Sequence, residues 1–222
     1  MLGKQQSPGL IAQVSLALVG LMWLVPFLHT THEYPLTTFD QEWWAVVLGM
    51  LAMTVLLTKE YWQSLEVPRV VLLPLVLIVV VLIQLGVGKI DYFNQGWLYI
   101  LYLLFAAMLM LLGAWLRHSL GIEKLSITLA IFLLIGALLS AGIGVLQHFG
   151  WHSWLDQFVV RKVSFSLYGN VAQPNHYANY LALGLASLGL LYQQQKIKLV
   201  YVVAMVVPLL FVLTLSGSRS SW

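Results

Sequence analysis

The run VVLLPLVLIVVVLIQLGVG, residues 70–88, holds no charged side chain over 19 positions. A stretch of 18 or more apolar residues is long enough, as a helix, to cross the roughly 30 Å hydrocarbon core of a bilayer. The rest of the 222-residue chain has the same character, with 60% hydrophobic and 9% charged residues. Soluble domains carry about 25% charged residues, so a water-soluble fold of this size lacks the polar surface to enclose its apolar side chains. Six further apolar runs flank the first: Leu10–Leu28, Trp43–Thr58, Gly96–Leu116, Leu125–Gln147, Pro174–Tyr192 and Leu199–Leu215. Seven spans of roughly 20 residues account for the apolar content. The expectation is an all-α polytopic membrane protein with about seven transmembrane helices, residues 1–222 forming a single transmembrane domain. The second run is short and the sixth is the most polar.

Composition excludes several classes of function. A formal net charge of +3, spread along the chain, does not make the clustered basic face that nucleic acid requires. With no cysteine, disulfides, thiolate metal sites and cysteine nucleophiles are ruled out. The first apolar run is too long for a cleavable signal peptide, and no small-residue cleavage site precedes His29.

Basic residues predict orientation, because they favour the cytoplasmic side. One side holds Lys4, Lys59, Arg69, Arg117, Lys124, Lys196 and Lys198; the other holds Lys89, Arg161, Lys162 and Arg219. The seven-to-four bias puts the N-terminus in the cytoplasm. Loops 29–42, 89–95 and 148–173 then lie outside, with Ser216–Trp222. Trp43, Trp44, Tyr92, Phe93, Trp97, Trp151, Trp154 and Tyr168 fall near the outer span ends, where amphipathic rings favour the headgroup layer. Within loop 148–173, FGWHSWLDQFVV (149–160) reads equally well as a short interfacial helix or as an ordinary connection.

The residues richest in chemistry are YGNVAQPNHYANY, 168–180. Gly169 and Asn170 favour a turn, and Pro174 suits a first helical turn because its missing N–H needs no partner there. The helix starts near Gln173, with Gln173, Asn175, His176 and Asn179 crowded into its first two turns. Asn175 and Asn179 share one face, as do His176 and Tyr180. A polar cluster at a positive helix end suits an anion such as phosphate; it equally suits capping and hydrogen bonding to neighbouring spans.

SGSRSSW, 216–222, follows the last apolar run. Its Arg219 has a planar fork matched to phosphate, with Ser216, Ser218, Ser220 and Ser221 around it; the alternative is an arginine snorkelling to the interface. In the first outer loop, His29, His32, Glu33, Asp40 and Glu42 match no metal signature, and the simpler reading is that they hold the loop in place. His148 and His152 would sit one turn apart if that segment were helical and carry the same reading, while Arg117 and His118 form a membrane-flanking basic pair.

The segment QPNHYANYLALGLASLGLLY resembles bacterial protein O-oligosaccharyltransferases of the PglL type. These carry a GN-x-x-Q-x-N-H pattern, which Gly169, Asn170, Gln173, Asn175 and His176 match. LTLSGSRSSW looks like the start of the region shared with O-antigen ligases and polymerases of the Wzy superfamily. There an SR pair follows an apolar span, and Ser218 and Arg219 match it. The His-x-x-His-x-x-Pro pattern of the first loop is also similar.

The resemblance implies a GT-C-related helical fold in the bacterial inner membrane and a metal-independent, inverting enzyme without cofactors. The enzyme would move a preassembled oligosaccharide from undecaprenyl pyrophosphate to Ser or Thr of periplasmic, for instance pilin-like, proteins. Gln173, His176 and Arg219 would be catalytic, and Asn170, Asn175 and Arg219 would bind substrate. It also implies that 1–222 is the N-terminal half of a longer enzyme, inactive alone, with an expected catalytic His beyond Trp222. The rivals are an O-antigen ligase acting on lipid A core, which the QPNH segment disfavours, and a secondary transporter. A transporter places its site near the bilayer midplane, whereas these polar residues lie near the outer face.

Overall fold

A computed structural model describes residues 9–32, 38–63, 67–150, 154–162 and 165–218. Every regular element among them is helical: α1 Leu10–Met22, α2 Val25–Leu28, α3 Phe39–Ala52, α4 Lys59–Gln63, α5 Leu72–Gly86, α6 Phe93–Leu120, α7 Ile122–Phe149, α8 Pro174–Gln193 and α9 Leu199–Leu215, with short 3-10 turns between some of them. The all-α expectation holds, and each of the seven apolar runs is helical.

Among the described residues, five stretches can cross a membrane by length and composition: Leu10–Leu28, Phe39–Leu57, Arg69–Gly86, Phe93–Leu120 and Ile122–Phe149. α9 is apolar but has 17 residues, about 26 Å at 1.5 Å per residue. α8 has 20 residues and is long enough, with its polarity concentrated in its first turns.

Two expected boundaries move. The short second run is extended by Phe39–Glu42 at its start, where Thr38 Oγ1 donates to Glu42 Oε1 at 2.9 Å. The expected loop around Arg117, His118 and Lys124 is helical almost throughout. α6 and α7 are separated by Gly121 alone, whose φ of +80° a residue with a Cβ rarely adopts. Apolar patterning ended the spans where charges begin, but charged side chains at helix ends extend a helix past the apolar layer. Of the 149–160 segment, Trp154–Phe158 forms a 3-10 turn and 151–153 lie outside the described residues.

The chain clusters into two compact units. The first comprises the chain up to Ser15 and Met50–Leu125, and its main feature is the α5–α6 hairpin. α5 closes with a Schellman pattern: Lys89 N–H donates to Gln84 O at 2.8 Å and Gly88 N–H to Leu85 O at 3.2 Å. Gly88 takes the left-handed φ, +66°, that this ending needs. A methyl group at Gly96 would lie 2.5 Å from the Leu85 side chain, so the absence of a side chain lets α6 start against the end of α5. Elsewhere α5 displays Leu72, Leu73, Val76, Val79 and Ile83, an apolar face that acyl chains cover without cost.

The second unit comprises Leu16–Gly49 and Ser126–Trp222. Its core joins Leu134, Ala137 and Ala141 of α7 to Tyr177, Leu181 and Leu188 of α8 and Leu209 and Val212 of α9. Small residues let α7 and α8 approach closely, as is common between membrane helices. A methyl group added to Gly184 would collide with the Ala137 side chain, one at Gly136 with the Tyr180 hydroxyl, and one at Gly144 with the Tyr177 hydroxyl.

Candidate functional site

The C-terminal ends of α2, α7 and α9 and the N-terminal end of α8 meet at one end of the second unit. Gln147, at the close of α7, is buried and its amide is fully engaged. Its Nε2 donates to Val160 O at 2.7 Å and Gly169 O at 3.3 Å; its Oε1 accepts from Gly169 N–H at 3.0 Å and Tyr168 N–H at 3.3 Å. One side chain thus supplies the partners that the Tyr168–Gly169 backbone would lack in an apolar setting. The Tyr168 hydroxyl donates to Arg161 O at 3.0 Å.

Asn170 is the second clip. Its side chain is fully enclosed, at 0% exposure. Nδ2 donates to Leu28 O at 2.9 Å and Phe158 O at 2.8 Å, and Oδ1 accepts from Val160 N–H at 3.0 Å. Both amide hydrogens are therefore committed to protein carbonyls. The resemblance implies substrate contacts for both Asn170 and Asn175; the structure encloses the first and exposes the second.

From Asn170 the chain turns sharply into α8. Gly169 has φ +51° and Ala172 has φ +60°, and a left-handed alanine carries strain of order 1–2 kcal/mol. Gly169 has little room for a side chain, since a methyl group there would lie 2.7 Å from the Tyr177 ring. Gln173 then caps the helix: its Oε1 accepts the His176 N–H at 2.6 Å, satisfying one of the first-turn donors. Gln173, Asn175 and His176 are exposed, while Tyr177 and Tyr180 are buried.

The two tyrosines anchor the start of α8. The Tyr177 hydroxyl donates to Ser140 O at 2.9 Å, and that of Tyr180 to Trp23 O at 2.8 Å. The Tyr180 ring stacks on Phe27 with centroids 4.1 Å apart. Pro26 explains why this contact exists. Lacking an N–H, it sits in the first turn of α2 after the break at Trp23–Leu24, so the first apolar run delivers its last turn against α8.

The described start of the second sequence motif, residues 216–218, lies against the approach to the first. Leu167 N–H donates to Leu215 O at 3.1 Å, which ties the approach to α8 to the last turn of α9. Ser216 and Ser218 are buried; Ser216 Oγ donates to Leu213 O at 2.6 Å and accepts from Ser218 N–H at 3.3 Å. Gly217, at φ +64°, lies beside Ser166. Arg219, Ser220 and Ser221 lie outside the described residues, as do Glu33 and His152. A cavity of about 490 Å³ opens between the end of α7 and residues 156–162, with Arg161, Lys162 and Asp156 on its wall.

Among the described residues, which leave out Glu33 of the first loop, no group of three or more His, Asp or Glu side chains is placed to hold a metal. His29 Nδ1 accepts from Thr31 N–H at 3.1 Å, and its Nε2 lies 3.9 Å from Asp40. His32 Nε2 lies 2.8 Å from the Asn170 carbonyl oxygen, a contact that spacing did not reveal. Gln147 was likewise read only as a span end. Its signal was a primary amide inside an apolar helix, where an unpartnered polar group is costly.

An all-helical membrane protein with a polar, tightly clipped junction at the start of one helix is the class that these features define. Residues 167–192, the junction and the helix it launches, match the protein glycosylation ligase family. Over 214 residues the chain is 34% identical to General O-oligosaccharyltransferase of Acinetobacter baylyi, an alignment that takes in 96% of this chain. The chain is thus related by sequence to the PglL-type oligosaccharyltransferases. It spans about a third of that relative's length, 36%. No solved structure matches it.

Proposed function

We propose that this chain serves protein O-glycosylation, in the transfer of a preassembled oligosaccharide from undecaprenyl pyrophosphate to Ser or Thr of proteins exported across the inner membrane. The observation that carries the reading is the junction at α8. The family's polar segment is held open to solvent at a helix start, next to the end of α9 where the SR pair begins. With the N-terminus cytoplasmic, this junction faces the periplasm, where a lipid-linked glycan meets an exported acceptor.

In this reading Arg219 holds the pyrophosphate and stabilises its charge as it leaves. Gln173, Asn175 and His176 orient donor and acceptor from the first turn of α8, and Asn170 serves by fixing their approach. The acceptor hydroxyl attacks the anomeric carbon, the bond to the pyrophosphate oxygen breaks, and the sugar is delivered with inversion. No metal ion takes part. The reading competes with an O-antigen ligase, from which it differs in the acceptor.

Arg219 provides the test. A charge-assisted contact contributes roughly 1.5–3 kcal/mol, or about 10- to 150-fold in rate if it acts mainly in the transition state. Arg219→Lys keeps the charge but loses the fork. In cells that make the lipid-linked donor, it should lower glycan transfer to protein by that range while the donor accumulates. Parental transfer in both Arg219→Lys and Arg219→Ala would remove the pyrophosphate role. Glycan appearing on lipid A core instead of protein would favour the ligase.

A further inference from the structure

We propose that His32 is a positioning residue for glycan transfer, holding the start of α8 through the backbone of Asn170. This inference rests on the reading that the first turn of α8 is the transfer site. A carbonyl only accepts, so the His32 Nε2 at 2.8 Å from Asn170 O carries the hydrogen. The bond joins residues 138 apart in the chain. It is returned in the opposite sense by Asn170 Nδ2, which donates to Leu28 O at 2.9 Å. Segment 28–32 therefore grips one residue by its side chain and by its main chain at once.

The gripped residue is well placed to transmit the hold. Asn170 closes a turn with Gly169 at φ +51° and is followed two residues on by Ala172 at φ +60°. Gln173, which caps α8, comes next. A backbone in these sparsely populated conformations persists only where its surroundings over-determine it. The neighbouring Phe27–Tyr180 stack and the Tyr180–Trp23 hydrogen bond fix the second turn of α8 from the same segment of chain. The first turn, with Gln173, Asn175 and His176, depends on the Asn170 clip and hence on His32.

The experiment compares His32→Phe, which keeps a ring but loses the donor, with His32→Gln, whose amide nitrogen has a similar reach. In membranes containing the intact protein, His32→Phe should lower kcat for transfer roughly 3- to 10-fold. KM for donor and acceptor should change little, as should membrane abundance, and His32→Gln should recover most of the rate. A second readout does not depend on activity. Residues 1–222 contain no cysteine, so, with labelling read against the parental protein, a thiol at Asn175→Cys reports on the first turn of α8, and one at Asp91→Cys serves as a remote control. His32→Phe should change the maleimide labelling rate at position 175 several-fold and leave position 91 unchanged.

Unchanged transfer and unchanged labelling at 175 in His32→Phe would overturn the inference. Equal losses of rate and abundance in the Phe and Gln variants would also overturn it, reducing His32 to a packing residue. If Gln173→Ala retains full transfer while labelling at 175 still responds to His32, the hold is real and the assignment of the transfer site is what fails.

Discussion

α5 in the first unit and α7 in the second are both long, apolar helices, yet they use their surfaces differently. Of the most apolar stretch of each span, 11% is buried in Arg69–Gly86, which ends in α5, and 39% in α7. α5 meets α6 through an ordinary hairpin and leaves its leucines and valines to the acyl chains. α7 presents Gly136, Ala137, Ser140, Ala141 and Gly144 to a partner helix and ends in Gln147, whose amide makes four hydrogen bonds. Apolarity places a helix in a bilayer but gives it no preferred neighbour, because lipid is as good a partner as leucine. Small residues and polar clips confer position, and the second unit concentrates them around residues 167–192, the segment that matches the protein glycosylation ligase family.

Substitutions with similar chemistry should therefore have unequal effects in the two units. The largest falls on Asn170. Asn170→Ala removes three side-chain hydrogen bonds and leaves the carbonyls of Leu28 and Phe158 without that donor. At about 1 kcal/mol each, with a further penalty for buried unpaired groups, the cost is about 2–4 kcal/mol. A clear fall in thermal stability in detergent, with reduced membrane abundance, is the expected outcome. Retention of parental stability would show that the clip is redundant.

A smaller and sharper contrast comes from two helical glycines. Gly184→Ala brings its methyl group into the Ala137 side chain, whereas Gly113→Ala in α6 meets nothing within 4 Å. Overpacking costs typically 1–3 kcal/mol, while relieving a mid-helix glycine in open space gains about 0.5–1 kcal/mol. The two variants should shift the melting temperature in opposite directions. Shifts of the same sign would mean that the close approach of α7 and α8 is not a stabilising feature.

Much of this architecture is legible from the sequence, for identifiable reasons. The run 70–88 reads as a span because 19 residues without charge leave few alternatives. The start of α8 was legible because Pro174 and the turn residues before it punctuate the chain. What stayed hidden depends on distant partners. Nothing in the spacing of Gln147 and Gly169, or of His32 and Asn170, indicates that they touch. The motif match implies a substrate contact for Asn170, and nothing in the sequence near it signals that its side chain is enclosed. Its enclosure follows from α2, the 3-10 turn Trp154–Phe158 and Val160 closing around it.

In the proposed function the exposed first turn of α8 performs transfer while the buried residues around it hold that turn. Glycan transfer by Gln173→Ala, measured per molecule of protein in the membrane, tests it most directly. Gln173 is exposed and gives up one capping bond, to His176 N–H, so losing it should cost about 1 kcal/mol of stability or less and leave abundance near the parental level. Transfer should be abolished all the same. Transfer at the parental rate in well-expressed protein would contradict it and leave Gln173 as a helix cap alone.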